Sequence, residues 1–140
     1  MATDAARALI LLGASIFGLL GSLHLAYTFH GDKLLPRDRA VIGAMKATSL
    51  VLTRQTSFWN AWIGFNASHS LGAILFAAVY ILLAAQHMDV LLRSRELVLV
   101  GVANTLAYLW LAHAYWFRVP FAGIAIASAC FLAAAALLFI

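Results

Sequence analysis

Charge is what this 140-residue sequence has least of: 9 Lys and Arg with 5 Asp and Glu make up 10% of it, against 65% hydrophobic residues. An ordinary soluble domain carries about 25% charged and about 45–50% apolar residues. So little polar surface cannot coat a particle in water, and lipid must be the solvent for much of the chain. Cysteine is nearly absent as well. A single Cys130 excludes an intramolecular disulfide and any multi-cysteine zinc or iron–sulfur motif; it lies in an alanine-rich apolar run, where an inert thiol is expected. Carboxylates are missing from the long apolar runs: Asp4, Asp32, Asp38, Asp89 and Glu96 all lie outside them or at their edges. That removes the intramembrane acid that proton pumps use. No inverted repeat of broken helices is visible, which counts against a transporter, and low complexity is confined to Ala133–Ala136. The basic residues flank apolar runs instead of forming one stripe, so the net charge of +4 reads as an orientation signal and no nucleic-acid partner is expected.

What is present is four apolar runs, each near the roughly 20 residues a spanning helix needs. They cover residues 8–29, about 58–85, 97–117 and 120–140 of the sequence. The first exceeds the usual apolar length of a secretory signal, about 7–15 residues, and no small-x-small cleavage site follows it cleanly, so a retained span is expected. Only Arg118-Val119-Pro120 separates the third run from the fourth. Proline is harmless at a first helical position, because that N–H has no intrahelical partner, and a tight antiparallel hairpin follows. Residues 30–57 form the one substantial hydrophilic stretch. Within it, Arg37 to about Thr48 suits a short interfacial helix with its basic groups toward lipid phosphates, or else a partly ordered loop. The expected fold is thus all-α: a polytopic membrane protein of one domain, a compact four-transmembrane-helix bundle with one basic loop or interfacial helix between the first two spans.

Helices in lipid associate through small residues and interhelical hydrogen bonds. Ala14, Gly18, Ser22 and Ala26 recur every four residues on the first span, Gly64, Ser68 and Gly72 on the second, and Ala125, Ala129 and Ala133 on the fourth. Basic residues divide six to three: Lys33, Arg37, Arg39, Lys46, Arg54 and Arg118 on the loop side, Arg7, Arg93 and Arg95 on the other. The positive-inside rule then puts the long loop in the cytoplasm and both termini in the periplasm.

Polar side chains inside a bilayer are costly enough to be read first as functional candidates. Steps of three and four place Trp59, Trp62, Asn66, His69, Ala73, Phe76 and Tyr80 on one stripe, at about 100° per residue. Asn104, Tyr108, Leu111, Tyr115 and Arg118 follow the same rule, as do Phe17, Leu20, His24 and Tyr27. At about 1.5 Å per residue, His24 lies about 8 Å, Asn66 about 12 Å and His69 about 16 Å inside the loop-side boundary. The candidate pocket is therefore a loop-side cleft of His24, Tyr27, Asn66, His69, Asn104, Tyr108, Tyr115 and Arg118. His113, about 180° from Asn104, points elsewhere, and His30 and His87 sit at segment ends. Trp59 and Trp62, with Trp116, suit an interfacial aromatic belt.

Neutral imidazole is a common metal ligand, but a depth difference of about 8 Å between His24 and His69, and the lack of Glu-x-x-His or His-x-x-x-His spacing, argue against a metal or haem pair. No metal or cofactor is expected. The block Thr53-Arg54-Gln55-Thr56-Ser57-Phe58-Trp59-Asn60-Ala61-Trp62-Ile63-Gly64-Phe65-Asn66-Ala67-Ser68-His69-Ser70-Leu71-Gly72, with Gly21-Ser22-Leu23-His24-Leu25-Ala26-Tyr27 and Tyr115-Trp116-Phe117-Arg118-Val119-Pro120, resembles an uncharacterised family of short bacterial inner-membrane proteins with four spans. The resemblance implies a multi-pass protein of the bacterial cytoplasmic membrane and transfers no catalytic residue. The leading expectation is a small non-catalytic component that binds a membrane lipid, a hydrophobic ligand, a membrane-protein partner or a second copy of itself. The alternative is a small enzyme using a histidine as acid or base on a lipid or quinone-like substrate, with a haem or metal carrier third.

Overall fold

The computed structural model describes residues 1–139 and holds six helices among them: α1 (Ala2–Phe29), α2 (Arg39–Ala47), α3 (Phe58–Gln86), α4 (Met88–Arg93), α5 (Arg95–Tyr115) and α6 (Arg118–Phe139). Four of these, α1, α3, α5 and α6, are long and apolar enough to cross a membrane. Large apolar side chains point outward along them, including Leu19, Leu75 and Trp110. Apolar residues turned outward on helices of this length are what a hydrocarbon solvent permits, and the chain is a multi-pass membrane protein.

Two compact units make up the chain, residues 1–20 with 73–140, and residues 21–72. The first contains parts of all four long helices. Its core is a bundle in which Ala6, Ile10 and Ala14 of α1, Tyr80 and Ala84 of α3, Met88 and Leu91 of α4, Val98 of α5, and Phe131 and Ala134 of α6 pack together. A second cluster joins Phe17, Ala73, Ala77, Ala112, Ile124 and Ala127. Two polar contacts hold it across helices: the Tyr80 hydroxyl donates to the Leu97 carbonyl at 2.6 Å and the Ser128 hydroxyl to the Thr105 carbonyl at 3.1 Å. Phe131 is clamped between helices. A Cβ on Gly13 would lie 2.9 Å from one side of its ring, and a Cβ on Gly101 2.8 Å from the other. Glycine at these two positions makes the slot the ring occupies.

The expected small-residue ridges are buried only in part. Ala14 is buried and Gly18 approaches Ala77, but Ser22, Ala26, Gly64, Ser68, Gly72, Ala129 and Ala133 are exposed. A step of four residues advances about 400°, so such a line drifts off the packed face within three steps. Alternating steps of three and four stay on it, as Ala73, Ala77, Tyr80 and Ala84 do.

The hairpin turn also differs from expectation. Helix α5 ends at Tyr115 and α6 starts at Arg118, so Trp116 and Phe117 make the turn, with the Trp116 N–H closing on the Ala112 carbonyl. Pro120 falls third in α6, still within the first turn where no N–H is needed. Helix α4, six residues of mixed charge and apolarity, is too short to show a period and was not expected.

The second unit holds the end of α1, helix α2 and the start of α3. The stretch expected as interfacial helix or loop is both: α2 is capped by the Asp38 carboxylate, which accepts from the Ala40 N–H at 2.9 Å, a standard way to satisfy a free helical donor. Residues 48–57 then close as a loop. The Phe58 N–H donates to the Thr48 carbonyl at 2.8 Å, Ser49 and Ser57 form an antiparallel bridge, and the Ser57 hydroxyl accepts from the Asn60 N–H at 3.2 Å.

Candidate functional site

Within the second unit, α1 and α3 bring His24, Asn66 and His69 together. His24 Nε2 lies 2.9 Å from Asn66 Oδ1, and the two imidazole rings are 5.5 Å apart at 75°. The depth difference of about 8 Å expected between these histidines is overturned by that distance. Each helical side chain leans toward its own N-terminus. Helix α1 approaches the loop and α3 leaves it, so His24 leans deeper and His69 shallower. Phe58 and Phe29 also need not mark the same depth.

The amide of Asn66 is oriented by its surroundings. Its Nδ2 donates to the Trp62 carbonyl at 2.8 Å, and only the NH2 end of the amide can do that. Oδ1 therefore faces His24, and since it only accepts, His24 Nε2 must carry the proton. In the neutral imidazole the second ring nitrogen, Nδ1, then holds a lone pair. Backbone carbonyls brace the arrangement: the Thr28 hydroxyl donates to that of His24 at 2.8 Å and the Ser70 hydroxyl to that of Asn66 at 2.8 Å. Phe65, 73% exposed, stacks on His69 with centroids 6.4 Å apart and planes 11° from parallel. His24, Asn66 and His69 are each partly buried. The cluster is thus an ordered, partly buried polar patch on a helix pair that also turns Leu23, Phe65 and Leu71 outward.

Toward the loop, Tyr27 sits one turn past His24 and receives a hydrogen bond from Lys33 Nζ at 3.3 Å, with the ammonium 4.4 Å from its ring centroid. Trp59 and Trp62 stack at 5.5 Å, and Lys46 Nζ lies 5.5 Å from the Trp59 ring. Cations on aromatic faces are stabilised by the ring quadrupole.

The other four expected pocket residues belong to the first unit. Asn104 is partly buried, and its Nδ2 is buried without a hydrogen-bond partner among the described residues. Tyr108 packs edge-on against Phe17 at 5.2 Å and Trp116 at 6.2 Å, an aromatic core position. Tyr115 is 74% exposed and lies against Trp110, and Arg118 is exposed. The expected stripe breaks there because α5 ends at Tyr115, so helical phase does not carry on to Arg118. The buried face of α5 is instead Val98, Gly101, Thr105 and Ala112.

His113 lies outside the stripe, as its angle requires, 5.9 Å from Phe121. It lines an open groove of about 440 Å³ between α5 and α6 with Leu106, Leu109, Trp110, Phe121 and Ala125. His30 and His87 are exposed. Among the described residues, no three His, Cys, Asp or Glu side chains are grouped so as to hold a metal ion. Sequence reasoning missed Phe65 and Thr28. Both were legible as partners, since each is four residues along its helix from a histidine of the cluster, the spacing at which helical side chains meet. No family model matches this chain, and comparison with curated proteins and with solved structures gives no match either.

Proposed function

We propose that this chain is a small non-catalytic component of a bacterial cytoplasmic membrane that binds an amphipathic, lipid-like ligand at His24, Asn66 and His69. The observation that carries it is the direction of one hydrogen bond. With Asn66 Nδ2 on the Trp62 carbonyl, His24 holds a proton on Nε2 and, as the neutral imidazole, offers a lone pair on Nδ1. Hydrogen bonding to an acceptor is favoured in a hydrocarbon solvent, where water cannot compete for it, and a lipid bearing a hydroxyl or N–H donor supplies the complementary group. Tyr27, with Lys33 upon it, supplies a cationic rim suited to the ligand's polar end. The long loop faces the cytoplasm on this account, supported by the six-to-three division of basic residues. The resemblance to short four-span bacterial proteins supports the location.

The experiment is native mass spectrometry of the protein released directly from membranes. A co-purifying lipid-like mass in the wild type, lost in a folded Asn66→Leu variant, supports the proposal. No adduct, or the same adduct in both proteins, overturns it. The same lone pair also suits a general base, which favours as second reading an enzyme acting on a lipid or quinone-like substrate. Conversion of the bound lipid by purified protein, abolished in His24→Gln, would establish that reading in place of the first.

A further inference from the structure

The closed loop after α2 carries its least polar side chains at its tip. Val51 is fully exposed and Leu52 is 92% exposed. Exposed apolar residues scattered singly on a surface need no explanation, but these two are adjacent, at the tip of an ordered loop. The bridge between Ser49 and Ser57 and the hydrogen bond from the Phe58 N–H to the Thr48 carbonyl tie both ends of the loop to the first turn of α3. The Thr53 N–H on the Leu50 carbonyl at 3.3 Å and the Gln55 N–H on the Thr53 hydroxyl at 3.1 Å shape its tip. The loop is therefore a built finger.

Its surroundings indicate what covers it. The first turn of α3 carries the stacked Trp59 and Trp62, the aromatic pair that marks a membrane–water interface. Residues 31–57 hold five basic side chains, Lys33, Arg37, Arg39, Lys46 and Arg54, against two acidic ones, Asp32 and Asp38. Helix α2 has no fully buried residue. An apolar tip among exposed cations, at the level where a spanning helix leaves the bilayer, matches an anionic lipid surface in both parts: acyl chains for Val51 and Leu52, phosphates for Lys46 and Arg54.

We infer that residues 49–57 form a finger whose apolar tip, Val51 and Leu52, inserts into the anionic face of the bilayer the chain itself spans, with Lys46 and Arg54 on its headgroups. The finger holds α2 flat on that surface and fixes how far the start of α3 stands out of the membrane. The inference stands apart from the ligand proposed at His24, since it uses none of those side chains.

The test uses the full chain with Cys130→Ala, so that one introduced thiol is labelled with an environment-sensitive fluorophore: Val51→Cys, Leu52→Cys or, as a polar-side control, Gln55→Cys. Each is reconstituted in vesicles of phosphatidylcholine alone or mixed with phosphatidylglycerol. Blue-shifted emission at 51 and 52, quenched by lipids bearing a shallow nitroxide and shielded from iodide, with the reverse at 55, is the expected result in mixed vesicles. The shift is expected to weaken in phosphatidylcholine alone and in the Lys46→Gln/Arg54→Gln double variant. Iodide quenching at 51 and 52 without lipid quenching overturns the inference. So does self-quenching between labels of two chains, which would assign the finger to a second copy. Equal depth in both vesicle types overturns the assignment to anionic headgroups.

Discussion

Replacing Gly101 with alanine adds one methyl group where the bundle has no room for it. The new Cβ would stand 2.8 Å from Phe131 Cε1 and 2.9 Å from Tyr80 Cε1. Neither ring can retreat. Phe131 meets the Gly13 backbone on its other side and packs against Phe76 at 5.5 Å, and Tyr80 is pinned by its hydrogen bond to the Leu97 carbonyl. Forcing a methylene into a packed core costs about 1–3 kcal/mol, and exchanging glycine for alanine within a helix returns at most about 1 kcal/mol. Gly101→Ala is therefore expected to destabilise the protein by about 1–2 kcal/mol, roughly 4 °C of melting temperature per kcal/mol at this size. Gly64→Ala is the control. Nothing lies within 4 Å of the position its Cβ would take, so the helix gain alone remains and the sign reverses. The assay is thermal unfolding in detergent read by the reaction of buried Cys130 with a thiol-reactive dye. In a Phe131→Leu background, where the ring is gone, Gly101→Ala should cost measurably less, a coupling of the kind contacting residues show. If Gly101→Ala and Gly64→Ala shift the melt in the same direction by similar amounts, the clamp on Phe131 is not what packs this bundle.

Other consequences are sharp enough to check by the same melt. Ser128→Ala removes the hydrogen bond from α6 to the Thr105 carbonyl and should cost about 0.6 kcal/mol, the average for such bonds in membranes. Tyr80→Phe, losing a 2.6 Å bond, should cost about 1 kcal/mol; no change would mean the hydroxyl finds lipid or water as readily. Asn104→Leu removes a buried donor without a partner among the described residues and should raise stability by about 1 kcal/mol or more, whereas a loss would show that Asn104 holds something. His24→Ala and Asn66→Leu should be non-additive, since each removes the same bond. Additivity would mean that the hydrogen bond contributes nothing.

Much of the architecture was legible because a span declares itself by length: a run of about 20 apolar residues has few other uses. The stripe from Trp59 to Tyr80 was legible for a similar reason. Steps of three and four fix a face, and every member of it is partly or fully buried. Helix ends were harder to place. Charge and proline suggested a turn at Arg118-Val119-Pro120, yet the backbone turns at Trp116 and Phe117, because proline in a first turn breaks no hydrogen bond. Arg118 falls off the stripe for that reason, as periodicity holds only while the helix lasts. The meeting of His24 and His69 was obscured by counting depth from two different helix ends. A rise per residue says how far a residue is along its own helix and nothing about where a neighbouring helix begins. The slot around Phe131 has no signature at all, since Gly13 and Gly101 acquire their role only when helices distant in sequence meet.

The claim on which everything rests is that α3 crosses hydrocarbon with its polar stripe turned inward, and a nitroxide scan along residues 60–85 in reconstituted vesicles tests it most directly. Oxygen accessibility should oscillate with the helical period, high at Leu71, Leu75, Val79 and Leu82 and low at Ser70, Ala73, Ala77 and Ala84, while a water-soluble nickel complex reaches none of these positions. Strong nickel access at Leu75 and Val79, oscillating in place of oxygen, would contradict it.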